Sequence, residues 1–253
     1  MMKDIRIYLT AVILLFISTA LMGQAALSPY STLGIGDVKP QTMVHNEGMG
    51  GLGLSKGYGY WMNYSNPALL VNNYYTVFGM SLFGDYRNYE QNGNTGTSGG
   101  ANLGYLATAF PLKDYKWTFA IGLNPYSSVN YNYNFTGTIN GTPASEVVLT
   151  EKGEGGINQF NIATGYNLFG NFNLGLKASY MFGSIKRESS NIVVDPDPAL
   201  PAKFIPVIFD RQSVSDFVFS GGASYKHMLS EETELNLGIV YDLEMNLNTR
   251  RLP

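Results

Sequence analysis

From Tyr74 onward, apolar and polar residues alternate with period two, the spacing of a strand with two unlike faces. In the first such run Tyr74, Phe78, Met80, Leu82 and Tyr86 share one face, and Gly79, Ser81, Asp85 and Arg87 the other. A third run sets Trp117, Phe119, Ile121, Leu123, Val129, Tyr131 and Tyr133 against Thr118, Ala120, Gly122, Asn124, Ser128, Asn130 and Asn132. A fifth sets Phe172, Leu174, Leu176, Ala178, Tyr180 and Phe182 against Asn173, Gly175, Lys177 and Ser179. The seventh is the cleanest, with Leu235, Leu237, Ile239, Tyr241, Leu243 and Met245 opposing Asn236, Gly238, Asp242, Glu244 and Asn246. Three less strict runs, about 101–110, 156–168 and 213–227, bring the predicted strand count to seven.

Two features favour a membrane barrel over a soluble sandwich. The apolar faces carry no mid-strand charge; Lys177 falls on the polar face, whereas a lysine at the lipid midplane would cost about 2–4 kcal/mol. The apolar faces also end in aromatics (Tyr74 and Tyr86, Trp117 and Tyr133, Phe172 and Phe182), as interfacial girdles do. Short connections at 111–115, 169–171 and 228–232 alternate with long ones at 90–100, 136–145 and 188–212, matching short periplasmic turns and long external loops. The expected fold is therefore all-β, a transmembrane antiparallel barrel in the bacterial outer membrane.

The N-terminal part reads differently. Lys3 and Arg6 precede an apolar run from Ile7 to Met22, and Gly23-Gln24-Ala25 supplies the small residues of a cleavage site, so residues 1–26 are expected to be a secretory signal peptide. Residues 27–71 are rich in glycine, with Gly34-Ile35-Gly36-Asp37 and Gly48-Met49-Gly50-Gly51-Leu52-Gly53, then Asn66-Pro67-Ala68. No Gly-Lys-Ser/Thr ending follows, so irregular close-packed backbone is the expected use rather than a phosphate loop. Such backbone survives at membrane depth only inside protein or a wet cavity. Residues 27–71, with Gly50, Gly51, Asn66, Pro67 and Ala68, are thus expected to form a plug in the lumen.

Composition narrows the function. Charged residues are 14% and the net charge is -3, which gives no electrostatic grip on nucleic acid. There is no cysteine, hence no disulfide or thiolate metal site. His45 and His227 are the only histidines, and neither has a nucleophile–base setting or metal-ligand spacing. No catalytic residue, metal or cofactor is expected. An odd strand count would leave open edges in lipid, so residues 72–253 are expected to be the N-terminal half of a barrel that continues.

The order of parts resembles the FadL/TodX-type outer-membrane transporters of long-chain fatty acids and hydrocarbons. The local matches are Gly48–Gly53 and Asn66-Pro67-Ala68 in the plug, and Leu123-Asn124-Pro125-Tyr126-Ser127-Ser128 in the third strand; the Ser28-Pro29-Tyr30-Ser31 opening is similar to Bacteroidetes members. The resemblance implies a barrel of about 14 strands and a kinked third strand that opens a lateral gap. Pro125 lacks an N–H for a ladder, so Asn124, Pro125 and Tyr126 become the candidate strand break and exit. The basic lumen groups are Arg87 and Lys177, against Asp85, Asp216, Asp242 and Glu244. The apolar cluster of 204–209, with Phe204, Ile208 and Phe209, is the candidate landing site on an external loop. The function implied is passive uptake of a hydrophobic small molecule, whether fatty acid, hydrocarbon or other lipid, in contact with outer-membrane lipid. The other reading is a non-transporting barrel subunit, with protein partners, in an outer-membrane secretion or assembly complex.

Overall fold

The computed structural model describes residues 25–91, 94–138, 146–194, 207–244 and 246–252. Most of the expected signal peptide, and Phe204, lie outside them. The fold is all-β. After a two-residue strand β1 (Asp37–Val38) come β2 (Val77–Gln91), β3 (Asn94–Lys113), β4 (Trp117–Thr138), β5 (Glu146–Phe169), β6 (Phe172–Val194), β7 (Val207–Met228), β8 (Glu234–Asp242) and β9 (Thr249–Leu252). β2 to β8 form one antiparallel meander in chain order, curled as a half-barrel. No described helix is long and apolar enough to cross a membrane, which bears only on helices.

The seven expected strands are the seven of the meander, but most run further than the side-chain pattern showed. Residues 94–100 were expected in a loop. Instead they pair with β2 down to Gln91↔Asn94, because a ladder is made by backbone and tolerates the run Thr-Gly-Thr-Ser-Gly-Gly. The expected loop 188–212 likewise contributes 188–194 to β6 and 207–212 to β7. Ile208 and Phe209 are therefore strand residues, paired with Ser189 and Glu188, and not loop residues. With 20 to 24 residues in β3 to β7, and about 9–11 needed for a tilted crossing, the wall projects well past a bilayer. The short connections are as expected, closed by Tyr115 and Gly170 with positive φ.

Two expectations about face and continuity fail. In β4, Pro125 pairs with Asn158 and Ser127 with Ile157, leaving Tyr126 as an extra residue. This bulge reverses the parity beyond it. Val129 and Tyr131 are buried, packed with Ile185 against Ile35 and Tyr133, while Asn132 and Asn134 are exposed. They were expected on the lipid face, since the sequence keeps the same odd-number rhythm across the inserted residue. The seventh strand is also broken: β8 stops at Asp242, and β9 resumes along β7 at Arg211–Val214. Between them Asp216 Oδ2 accepts from the Asn248 backbone N–H and side-chain amide, both at 2.9 Å, in place of ladder bonds. This second irregularity turns Leu247 toward the cluster of Ile157, Met181 and Val214.

Parts of residues 25–73 pack against one face of the sheet. Met43, Met62, Tyr64 and Leu70 pack on a bed of Ala107, Ala109, Ala120 and Ala163 from the wall. Small residues on the inward parity thus make room for the segment that large ones would exclude.

Candidate functional site

The N-terminal segment meets the wall in two places. At the first, Pro67–Asn72 forms a short helical turn capped by Asn66, whose Oδ1 accepts from Ala68 N at 3.0 Å. The turn stands over three glycines in register across adjacent strands, Gly165↔Gly175↔Gly222. A Cβ on Gly175 would come within 2.2 Å of the backbone of Pro67 and Ala68, and one on Gly222 within 2.2 Å of Asn66 Oδ1. Asn66 donates to Leu54 O at 2.7 Å and Ala223 O at 3.1 Å, and Asn73 donates to three carbonyls, those of Tyr58, Gly59 and Trp61. Ala68 and Leu70 are fully buried. Asn66, Pro67 and Ala68 are thus brought together as a docking element. Gly50 and Gly51, by contrast, have φ of 73 and 82 in a turn after Val44–Glu47, with open space around Gly50.

The second place is a seam in the wall. The β3–β4 ladder ends at Leu106↔Leu123. Above it β3 continues only with β2, and β4 only with β5 on its other edge. Along the exposed edge of β4, the N-terminal segment takes the place of β3. Gln41 Nε2 donates to Pro125 O at 3.3 Å, Lys39 N to Tyr126 O at 2.9 Å, and Ser28 N to Asn130 O at 2.8 Å. β1 adds the pairs Asp37↔Ser128 and Val38↔Ser127. Asn124, Pro125 and Tyr126 lie at a bulge at the mouth of the seam, and β4 itself runs on through them.

Charge and amides hold the segment there. Arg87 Nη1 lies 2.9 Å from Asp37 Oδ2, and Lys39 Nζ 3.2 Å from Asp85 Oδ2 and 5.1 Å from the Phe83 ring centre. Burial alone would raise the Asp37 pKa, but the Ser28 hydroxyl, the Arg87 guanidinium and the Lys39 charge outweigh it and lower the carboxyl below its usual value. Gln41 Oε1 accepts from Asn124 Nδ2 at 2.8 Å and from Gln159; Asn124 Oδ1 in turn accepts from Asn161, whose own Oδ1 accepts from Ser179. Lys177 is on the inward parity expected of it, next in that row to Ser179. Arg87, expected as a basic lumen group, is committed to Asp37 and lies 3.9 Å from Asp85. Beside the seam a cavity of about 580 Å³ lies between residues 37–47 and the inner face of β2 and β3.

Ile208 and Phe209 are exposed near the far end of β7, and belong to neither place. His45 packs against Trp61 and Tyr58, and burial lowers its pKa; His227 stacks on Tyr225. The sequence reading missed Asp37, Lys39 and Gln41. Their signal was weak: two charges and an amide at alternate positions in a glycine-rich stretch with few other charges.

Comparison with known families overturns the resemblance to FadL/TodX transporters. The family model that matches is BamG, over residues 1–252. No curated protein and no solved structure matches the chain. With that match spanning nearly its whole length, the chain belongs to the BamG family.

Proposed function

We infer from the family and the all-β half-barrel that this is an outer-membrane-associated protein of barrel type. We propose that it acts as a non-transporting barrel subunit of an outer-membrane assembly complex, through protein partners and without catalysis or cofactor. Membership in the BamG family carries this reading. The state of the seam supports it. The lateral exit of a transport path would need a gap free to release an apolar ligand. Here the edge of β4 is covered from Pro125 to Asn130.

The test uses the full-length protein in its native outer membrane. Affinity purification is expected to recover stoichiometric protein partners, and depletion is expected to lower the amounts of other outer-membrane barrels while uptake of a hydrophobic probe stays unchanged. Loss of probe uptake with normal levels of the other barrels, and no partners, would instead establish a transporter.

A further inference from the structure

The seam is an occupied site whose occupant makes only a short main-chain ladder with it. Pairing between β4 and β5 covers 21 residue pairs in the register, whereas β1 contributes two. Between Ser28 and Asp37 the segment departs from a regular strand, in the turn Pro29–Thr32 and a bend with positive φ at Gly34 and Gly36, and touches β4 through side chains, with Ser31 Oγ accepting from Asn130 N at 3.1 Å. Tyr30 is 80% and Leu33 76% exposed there. On the other side, β1 forms no ladder with β3 among the described residues. The 580 Å³ cavity lies on that side, lined by Asp37, Lys39, Glu47, Phe83, Asp85 and Tyr105 among others.

What the seam does read is charge order. Asp37 and Lys39 are two apart on the segment, and so are Arg87 and Asp85 on β2. Period two puts each couple on one face of its strand, and the couples meet as Asp37–Arg87 and Lys39–Asp85. An extended chain adding to a sheet edge gains affinity from main-chain bonds and specificity from alternate side chains. The β4 edge supplies the first and the β2 charges the second.

We propose that the β3–β4 seam is a strand-accepting site for an extended segment of a partner protein carrying an acidic residue, any residue, then a basic one. The chain's own residues 37–39 hold it at rest and yield to that segment. The identity of the occupant as a protein rests on the assembly reading; the site itself does not. The few main-chain bonds of the resting occupant make exchange feasible, and its two ion pairs set what can replace it.

The chain has no cysteine, so a disulfide placed at the β1–β4 pair by Val38→Cys with Ser127→Cys can lock the resting form reversibly. The probe is a fluorescent synthetic peptide of residues 25–41, added to purified full-length protein. Binding is expected to the unmodified and the reduced double variant, and to be at least tenfold weaker to the oxidised one, with recovery on reduction. A peptide with Asp37→Lys and Lys39→Asp is expected to bind the unmodified protein at least tenfold more weakly, and to regain affinity for protein carrying Arg87→Asp and Asp85→Arg. Equal binding to the locked and reduced forms, no binding to the unmodified protein, or indifference to the charge exchange overturns the proposal. If the double-cysteine variant does not fold, the charge-exchanged peptide against unmodified protein still decides. Peptide binding without co-purifying partners would refute the assembly reading alone; partners without peptide binding would refute the seam site alone.

Discussion

The N-terminal segment is held at the glycine floor and at the seam by opposite means. At the floor, Asn66, Ala68 and Leu70 have no exposed surface, and the turn sits against wall backbone through a row of missing side chains. At the seam, edge hydrogen bonds, two ion pairs and a chain of amides hold a segment in which Tyr30 and Leu33 are exposed and Ile35 alone packs on the wall clusters. Close packing tolerates no change of a methyl group. Charge and edge hydrogen bonds are worth about 1 kcal/mol each and are exchangeable with water or another chain. A segment built this way is anchored at its C-terminal end and can be released at its N-terminal end.

The sharpest break in that contrast is Gly175→Val. Its Cβ would meet the Ala68 nitrogen and the Pro67 carbonyl carbon at 2.2 Å, and neither is the tip of a flexible side chain. Overpacking of this kind costs about 3 kcal/mol or more. A fall in the urea midpoint is the expected readout. Gly221, whose Cβ would meet only Leu176 Cδ2 at 4.0 Å, should accept alanine with no measurable change. Equal tolerance at both sites would mean that the floor does not anchor the segment.

Asn66→Ala comes next. It removes the cap of Pro67–Asn72 and leaves the Leu54 and Ala223 carbonyls without their amide donor. The cap and the two amide hydrogen bonds each contribute about 1 kcal/mol, so a loss of about 2–3 kcal/mol in urea unfolding is expected. A seam variant should fall below that figure.

These two sites were unequally legible. Gly175 stood on the polar face of a well-read strand and Asn66-Pro67-Ala68 stood out as a motif, yet only pairing across β5, β6 and β7 puts Gly165, Gly175 and Gly222 in one row. The alternation identified seven strands and the outward faces of β2, β6 and β8. It failed in β4 because one added residue, Tyr126, leaves the numerical rhythm intact while rotating the chain. It missed 94–100 because glycine, serine and threonine pair by backbone alone. The seam lay beyond any local pattern: it is defined by where pairing of β3 with β4 stops, and by residues 86 or more positions away that supply Ser28, Asp37 and Lys39 to the vacated edge.

Asp37→Asn sharpens the contrast from the other side. The Asp37–Arg87 pair is partly exposed, so about 1 kcal/mol is expected, seen as faster protease cleavage within residues 27–41 with little change in global unfolding. The folded-state pKa of Asp37 is lowered, so its contribution is fully present above the unfolded value of about 4 and is lost as pH falls through the lower folded value. In the unmodified protein, cleavage should therefore accelerate on acidification below about pH 4. In Asp37→Asn that acceleration should be reduced. A pH response identical in both would remove Asp37 from the latch.

The smallest effect is expected at Pro125→Val, the substitution that the sequence makes look decisive. Proline in mid-strand suggests a broken ladder, but Pro125 stays opposite Asn158 and its carbonyl, not its nitrogen, receives Gln41. Valine keeps that carbonyl and suits extended backbone. The bulge is set by Tyr126, whose carbonyl accepts from Lys39 N at 2.9 Å and whose side chain packs beside Ile157 and Met181. Opposite it, Gly155 and Gly156 have φ of 116 and 154 and lie against the Ser184 and Ser127 carbonyls. None of these groups changes in the variant. A shift within about 0.5 kcal/mol is expected, with assembly, partner recovery and protease sensitivity of the segment all unaltered. Should Pro125→Val instead expose residues 27–41 to protease, the proline ring would be what keeps β3 and β4 apart, and the seam would depend on one residue of the wall and not on the segment that occupies it.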